Sequence, residues 1–304
     1  MSTPLVSVRV ITYNHEKYIA QCLEGILMQR TDFPFEVIVG EDCSADRTRE
    51  IVLDYQARFP DKIRVITSER NVGGMANAIR VQQACSGKYH ALCEGDDYWI
   101  DPLKLQKQAE FMEANPDISM CCHDAYVMRD DKNASPRYYC SPNIPDRLRI
   151  YDLFERWRLF IPTASMFARS QLLASLPDWR TEIIYGDLLF RLWCAHHGDI
   201  GYLPEAMSVY RVHKTSLMAG LNNIEQRGNI YINLYSKFDK ETNYQYEKEI
   251  QRALKEIKNE FRFLSRKTKW GWFAFLLHPG KLLEKLLEYL DILRRYRRMY
   301  DYRN

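Results

Sequence analysis

The sequence has no CxxC pair, no GxxxxGK(S/T) loop, no GxGxxG fingerprint and no apolar run of about 18 residues, and each absence removes a class of function. Kinase and nicotinamide-dehydrogenase readings lack their phosphate cradles. The eight cysteines, Cys22, Cys43, Cys85, Cys93, Cys121, Cys122, Cys140 and Cys194, follow neither zinc-site nor disulfide-framework spacing, so reduced thiols in a cytosolic protein are expected. The N-terminus has no basic stretch followed by a long apolar one; Leu5 to Thr12 reads as a strand instead. Near the other end, Trp270 to Leu277 is broken by His278-Pro279-Gly280, so no membrane span is expected. A net charge of +3 is too small to argue for nucleic acid, and no nucleic-acid motif is present.

What is present is an alternation of strand-like and helix-like runs in a chain of 304 residues. Val6–Ile11, Glu36–Val39 and Ile63–Thr67 are short β-branched runs, followed by helical patterns from about Lys17, from about Arg47 and over Met75–Cys85. Tyr89–Cys93 and Ile118–Cys122 are further strand candidates. They flank a helix expected to start with Asp101 as N-cap and Pro102 at the first helical position. This βαβ rhythm implies a mostly parallel sheet with helices on both faces. Residues 129–149 read as a long polar loop, Ser165–Ala168 as a strand, Asp187–His196 as a helix ending at Gly198, and Ile200–Val212 as the last extended pieces. Beyond Gly220 nearly everything reads helical. The expected organisation is an α/β catalytic domain over 1–220 and a helical extension over 221–304.

Open α/β sheets bind ligands beyond the carboxyl ends of their strands, which directs attention to three clusters. They are Ile11-Thr12-Tyr13-Asn14-His15, Val39-Gly40-Glu41-Asp42-Cys43-Ser44-Ala45-Asp46 and Leu92-Cys93-Glu94-Gly95-Asp96-Asp97-Tyr98-Trp99. The last puts three carboxylates within four residues directly after an apolar strand. Like charges so close raise one another's pKa unless a cation is present, and hard oxygen ligands suit Mg²⁺ or Mn²⁺ with phosphate oxygens completing the shell.

In these clusters, and in their order, the run from Val6 to about Met218 resembles the family-2 inverting glycosyltransferases of GT-A fold. Val8–Asn14 is similar to their opening strand and turn, and Ile38–Thr48 to their acidic nucleotide-binding turn. Asn71-Val72-Gly73-Gly74 with Asn77 matches the segment before their metal motif, and Glu94-Gly95-Asp96-Asp97 matches the DxD motif itself, with an extra Asp. The resemblance implies a nucleotide-sugar donor, UDP-sugars foremost. Glu41 or Asp42 would face base and ribose, with Thr12, Tyr13 and Asn14 lining the same pocket beside Asn71, Gly73 and Asn77. Asp96 would hold the metal, with Glu94 helping through water or the ribose and Asp97 adjoining. Glu41 and Glu94 stand where the family usually has Asp, Cys43 where it often has Gly, and Gly186 where it has the Glu of a Glu-Asp pair.

Inversion needs one carboxylate to take the acceptor proton, and the resemblance assigns that task to Asp187 in Tyr185-Gly186-Asp187-Leu188. It also implies that the closing segment Val209–Ser216 brings Arg211, His213 and Lys214 onto the diphosphate, His213 as ligand of metal or phosphate. Trp99, Trp179 and Trp193 are expected in the core. Lys281–Met299 reads as a cationic amphipathic helix in a segment, after Gln251, that carries roughly eight excess positive charges. It would lie on an anionic inner membrane surface, beside a lipid-linked acceptor of bacterial surface polysaccharide or glycolipid synthesis, or else pack on protein. The competing functional reading is a catalytically degenerate, nucleotide-binding scaffold.

Overall fold

The computed structural model describes residues 3–129, 137–138, 144–156, 159, 161–213 and 224–270. The chain forms two compact units, Met1–Val212 and His213–Asn304. The expected boundary near residue 220 falls outside the described residues, as does the cationic segment 281–299.

The first unit opens with β1 (Val6–Thr12), α1 (Ile19–Leu27), β2 (Phe35–Glu41), α2 (Thr48–Arg58), β3 (Ile63–Ile66), α3 (Gly74–Ala84) and β4 (Tyr89–Glu94). In β1 the period of two is strict: Val6, Val8 and Val10 are wholly buried and pack with Ile19, Cys22, Leu23 and Ile26 of α1. Arg9 points to the other face, where its guanidinium donates to the carbonyl of Ala78 in α3. The helices therefore cover both faces. The parallel strands run in the order β3-β2-β1-β4, so the chain reverses direction across the sheet between β1 and β4, and the crevice of a doubly wound sheet opens there.

After β4 come β5 (Tyr98–Trp99), α4 (Lys104–Ala114), β6 (Ile118–Arg129), β7 (Arg137–Tyr138), β8 (Arg147–Leu148), α5 (Ile150–Glu155), β9 (Phe167–Arg169), α6 (Ser170–Ala174), α7 (Gly186–His197) and β10 (Asp199–Val212). Four features depart from the sequence expectation. The α4 helix starts at Lys104, because the Asp101 carboxylate accepts the Leu103 N–H and so closes a turn ahead of the helix. The polar stretch after Arg129 carries β7 and β8, two-residue strands too short to show periodicity. The strand expected at Ser165 begins at Phe167 after a 3₁₀ turn over Thr163–Ser165, and it inserts antiparallel between β4 and β6. The final extended pieces are one strand, β10, parallel to β6, with register shifts around Pro204, which has no N–H to give the ladder.

Trp99 is buried and donates its indole N–H to the carbonyl of Ala164; Trp193 is buried and donates to Ser175 Oγ. The second unit contains α8 (Ile224–Glu241) and α9 (Glu247–Trp270). They bury Leu234, Tyr235 and Phe238 with Ile250, Ala253, Leu254 and Ile257, a spacing that puts one apolar face of each helix inward. Among the described residues no helix is long and apolar enough to cross a membrane.

Candidate active site at the carboxyl edge of the sheet

The ladder itself brings the three clusters together. Thr12 is paired with Glu41 across β1 and β2, and Ile11 with Glu94 across β1 and β4. The turns beyond are laced by backbone bonds, from Asp42 N–H to the Thr12 carbonyl at 3.1 Å and from Gly95 N–H to the Ile11 carbonyl at 2.9 Å. Asn14 adopts a left-handed conformation, φ 56°, and is held on both sides: its N–H donates to Ser44 Oγ at 3.0 Å and its Oδ1 accepts from Ala45 N–H at 2.8 Å. Tyr13 is left with its ring exposed at the rim.

Most of the expected nucleotide-binding side chains build the loops around this crevice. Glu41, wholly buried, accepts from Arg49 Nε at 2.6 Å and from the Ser44 N–H at 2.6 Å. Asp42 grips the N–H groups of Val72 and Gly73 at 2.8 and 2.9 Å. Asn71 Oδ1 accepts from the same Gly73 N–H at 2.9 Å. Gly73 has φ 89°, a conformation that only glycine adopts without strain, and it leads directly into α3. Asn77, in the first turn of α3, is buried and donates to the Gly40 carbonyl at 2.7 Å. A side chain at Gly40 would collide with Asn77 and Val81, so helix and strand touch here backbone to side chain.

The acidic turn lies across β1 from these loops. Burial, reinforced by the charges of Asp96 and Asp187, pushes the Glu94 carboxyl up to about 8. Asp187, second residue of α7 and partly buried, is likewise raised by burial, against the pull of Arg191 and of backbone N–H groups at the helix start. Glu94 thus feels the charge of Asp187 although 93 residues of sequence separate their positions, roughly a third of the chain. Asp97 is buried. Its Oδ1 accepts the Arg211 N–H at 2.8 Å while Oδ2 has no partner, and burial with the charges of Asp96 and Glu94 raises its pKa.

Arg211 is engaged with the acidic turn and the rings beside it. Its guanidinium donates to the Asp96 carbonyl at 2.6 Å and to Gln21 Oε1, and lies over the rings of Tyr98 and Tyr18 at 4.4 and 5.1 Å. His213 follows the end of β10 as the first residue of the second unit and is itself buried; Lys214 to Ser216 lie outside the described residues. A residue that motif reading passed over is His15, whose Nε2 is 3.8 Å from Asp96 Oδ2 and whose Nδ1 is 3.3 Å from Thr12 Oγ1. The signal was its position directly after Asn14 in the opening cluster.

Among the described residues no three His, Cys, Asp or Glu side chains converge into a ready metal cage. The donor set still fits a hard cation that brings most of its own shell, because Mg²⁺ and Mn²⁺ sites built on phosphates need only one or two carboxylates. Glu94 feels the charges of Asp96 and Asp187 here, and a divalent cation would relieve that crowding.

Comparison with known proteins agrees with this architecture. An uncharacterised protein of Mycobacterium tuberculosis, Rv1520, is 38% identical over 208 residues, which is 68% of this chain and 59% of that protein. The crystal structure of Staphylococcus aureus TarS 1–349 in complex with UDP-GlcNAc superposes with a TM-score of 0.63 at 20% identity, covering 96% of this chain and 80% of that one. The mannosyltransferase PcManGT of Pyrobaculum calidifontis, solved with GDP-Man and Mn²⁺, gives 0.62 at 17% identity over 98% of this chain and 83% of its own. These two share the fold, a GT-A arrangement of mixed sheet and flanking helices. The family model for glycosyl transferase family 2 matches residues 7–173, spanning β1, the acidic turn and β9, and the chain belongs to that family.

Proposed function

We propose that this chain is a metal-dependent, inverting glycosyltransferase that moves a sugar from a nucleotide-sugar to an acceptor hydroxyl. One observation carries the reading: at the switch point of the sheet Glu94 is pushed up to about 8 by burial and by the charges of Asp96 and Asp187. Asp187 takes the acceptor proton as the acceptor oxygen bonds to the anomeric carbon. The bond from that carbon to the diphosphate breaks on the opposite face, which inverts the configuration. Asp96 would hold Mg²⁺ or Mn²⁺ with Glu94 nearby, and the ion would supply charge neutralisation for the diphosphate. Thr12, Tyr13 and Asn14, fixed by the loops that Glu41, Asp42, Asn71, Gly73 and Asn77 brace, line the nucleotide pocket. His213 adds a metal or phosphate contact from the residue that follows β10.

UDP-sugars are the proposed donors; a protein of the same fold was solved with UDP-GlcNAc, and another with GDP-Man and Mn²⁺. The acceptor is proposed to be a saccharide or lipid-linked saccharide, reached at an anionic membrane surface through the cationic segment 281–299. The test is calorimetric binding of UDP, GDP, CDP and dTDP, with and without Mn²⁺, to wild type and Asp96→Ala. Metal-dependent binding of one nucleotide, lost in Asp96→Ala, is expected. Nucleotide binding that Asp96→Ala leaves unchanged, with no sugar transfer, would favour the degenerate nucleotide-binding scaffold, and binding of none would overturn the donor site.

A further inference from the structure

We infer that His15 is a positioning residue for the acidic turn, its imidazole fixing the Asp96 carboxylate in the orientation that receives the cation; this rests on the metal-dependent reading above. The backbone of His15 is anchored on both sides. Its N–H donates to Thr48 Oγ1 at 2.7 Å, and its carbonyl accepts the N–H groups of Tyr18 and Ile19 at 2.9 Å each, where the chain turns into α1. The residue before it, Asn14, is locked in its left-handed conformation by Ser44 and Ala45. The ring is therefore delivered to one place.

That place is the gap under the acidic turn. A Cβ at Gly95 would lie 2.9 Å from His15 Nδ1 and 2.7 Å from Thr12 Oγ1, so the absent side chain at position 95 is what leaves room for the ring and the hydroxyl beside the turn. On one side Nδ1 sits 3.3 Å from Thr12 Oγ1, and on the other Nε2 sits 3.8 Å from Asp96 Oδ2. When the Thr12 hydroxyl donates to Nδ1, a neutral imidazole carries its hydrogen on Nε2, facing Asp96; this tautomer is assigned from the geometry. The 3.8 Å separation is longer than a hydrogen bond, as contacts in unliganded sites commonly are.

The electrostatics give the contact its purpose. Asp96 lies beside Glu94 and Asp97, both of which feel its charge. A carboxylate so placed is repelled by its neighbours. One N–H aimed at Oδ2 favours one rotation of the carboxylate, the reverse of the usual arrangement in which a carboxylate orients a ligating histidine. Gly95, Thr12, His15 and Asp96 then form one unit built from two strand ends.

The experiment is calorimetric titration of Mn²⁺ into the full chain, saturated with whichever of UDP, GDP, CDP and dTDP wild type binds best. It compares wild type, His15→Gln, His15→Asn and His15→Ala, each checked by thermal unfolding. Glutamine places its amide nitrogen near the position of Nε2, whereas asparagine places its own near Nδ1. His15→Ala and His15→Asn are expected to weaken Mn²⁺ about tenfold or more, and His15→Gln to stay within about threefold of wild type. Asparagine matching glutamine, or all three matching wild type, would overturn the proposal and reduce the ring to a filler beside Gly95. Wild type that needs no Mn²⁺, or Asp96→Ala that keeps its Mn²⁺ affinity, would instead take down the metal reading and this proposal with it.

Discussion

Asp97 Oδ1 accepts the backbone N–H of Arg211 at 2.8 Å, tying the acidic turn to a strand end that lies 114 residues further along the chain. Its other oxygen is buried without a partner, and burial together with Asp96 and Glu94 pushes its pKa up, so the group is suited to a neutral, proton-bearing role. The extra Asp of the motif is thereby a brace. Asp97→Asn keeps an acceptor for Arg211 and is expected to unfold in urea within about 1 kcal/mol of wild type, whereas Asp97→Ala strands the N–H and costs about 1–3 kcal/mol. Equal losses in the two variants would show that the hydrogen bond is not what the side chain supplies.

The strands around the crevice were legible because each is a short, largely apolar run ending in polar residues, and the parallel ladder then aligns those ends without further information. Asp187 was legible only through resemblance; what places it near Glu94 is the packing of α7, which no local pattern encodes. Glu41, Asp42 and Asn77 were found by motif, yet their observed partners, Arg49, Val72, Gly73 and Gly40, show them holding loops together. A motif reports that a residue type is required at a position and not whether it serves ligand or backbone. His15 was missed for the same reason in reverse: its partner Asp96 arrives from a different strand end. The antiparallel β9 and the two-residue β5 are too short to carry a period, and their pairing is decided by tertiary contacts.

Glu94 gives a pH signature. Its folded pKa of about 8 stands above the ordinary carboxyl value of 4.5, so the folded protein binds the extra proton between those values and loses stability as pH rises through them. Thermal unfolding of the metal-free protein is expected to fall from pH 5 toward about pH 8, and Glu94→Gln should flatten that slope. Adding Mn²⁺ with the bound nucleotide at pH 8 should restore the wild type more than the variant. A wild-type profile as flat as that of Glu94→Gln would contradict the crowding of charge at the site.

Lys104 predicts the opposite slope. It is wholly buried at the start of α4, its ammonium 3.9 Å from the Trp99 ring centre and 2.6 Å from Gln108 Oε1, and burial lowers its pKa to about 7. The unfolded chain binds its proton more tightly, so stability rises between about pH 7 and 10.5 and the charged form is penalised below that window. Lys104→Met, similar in length and without the charge, is expected to raise the melting temperature at pH 6 and to remove this dependence. A lower melting temperature at pH 6 would mean that the contacts with Trp99 and Gln108 outweigh desolvation.

Asp187 sits where two roles overlap, since an acid in the first turn of a helix also stabilises the helix N-terminus. Asparagine keeps the shape of aspartate but cannot take a proton, and losing the charge costs the helix terminus only about 0.3–1 kcal/mol, so Asp187→Asn separates the roles. With sugar transfer as readout, kcat is expected to drop about 10²- to 10⁴-fold while nucleotide affinity and melting temperature stay near wild type. Because burial raises the Asp187 pKa, the rate of wild type should increase with pH through that elevated value as the carboxylate ionises. An active Asp187→Asn protein would remove the base from this position. A variant that loses melting temperature along with turnover would assign the residue to α7 rather than to the acceptor proton.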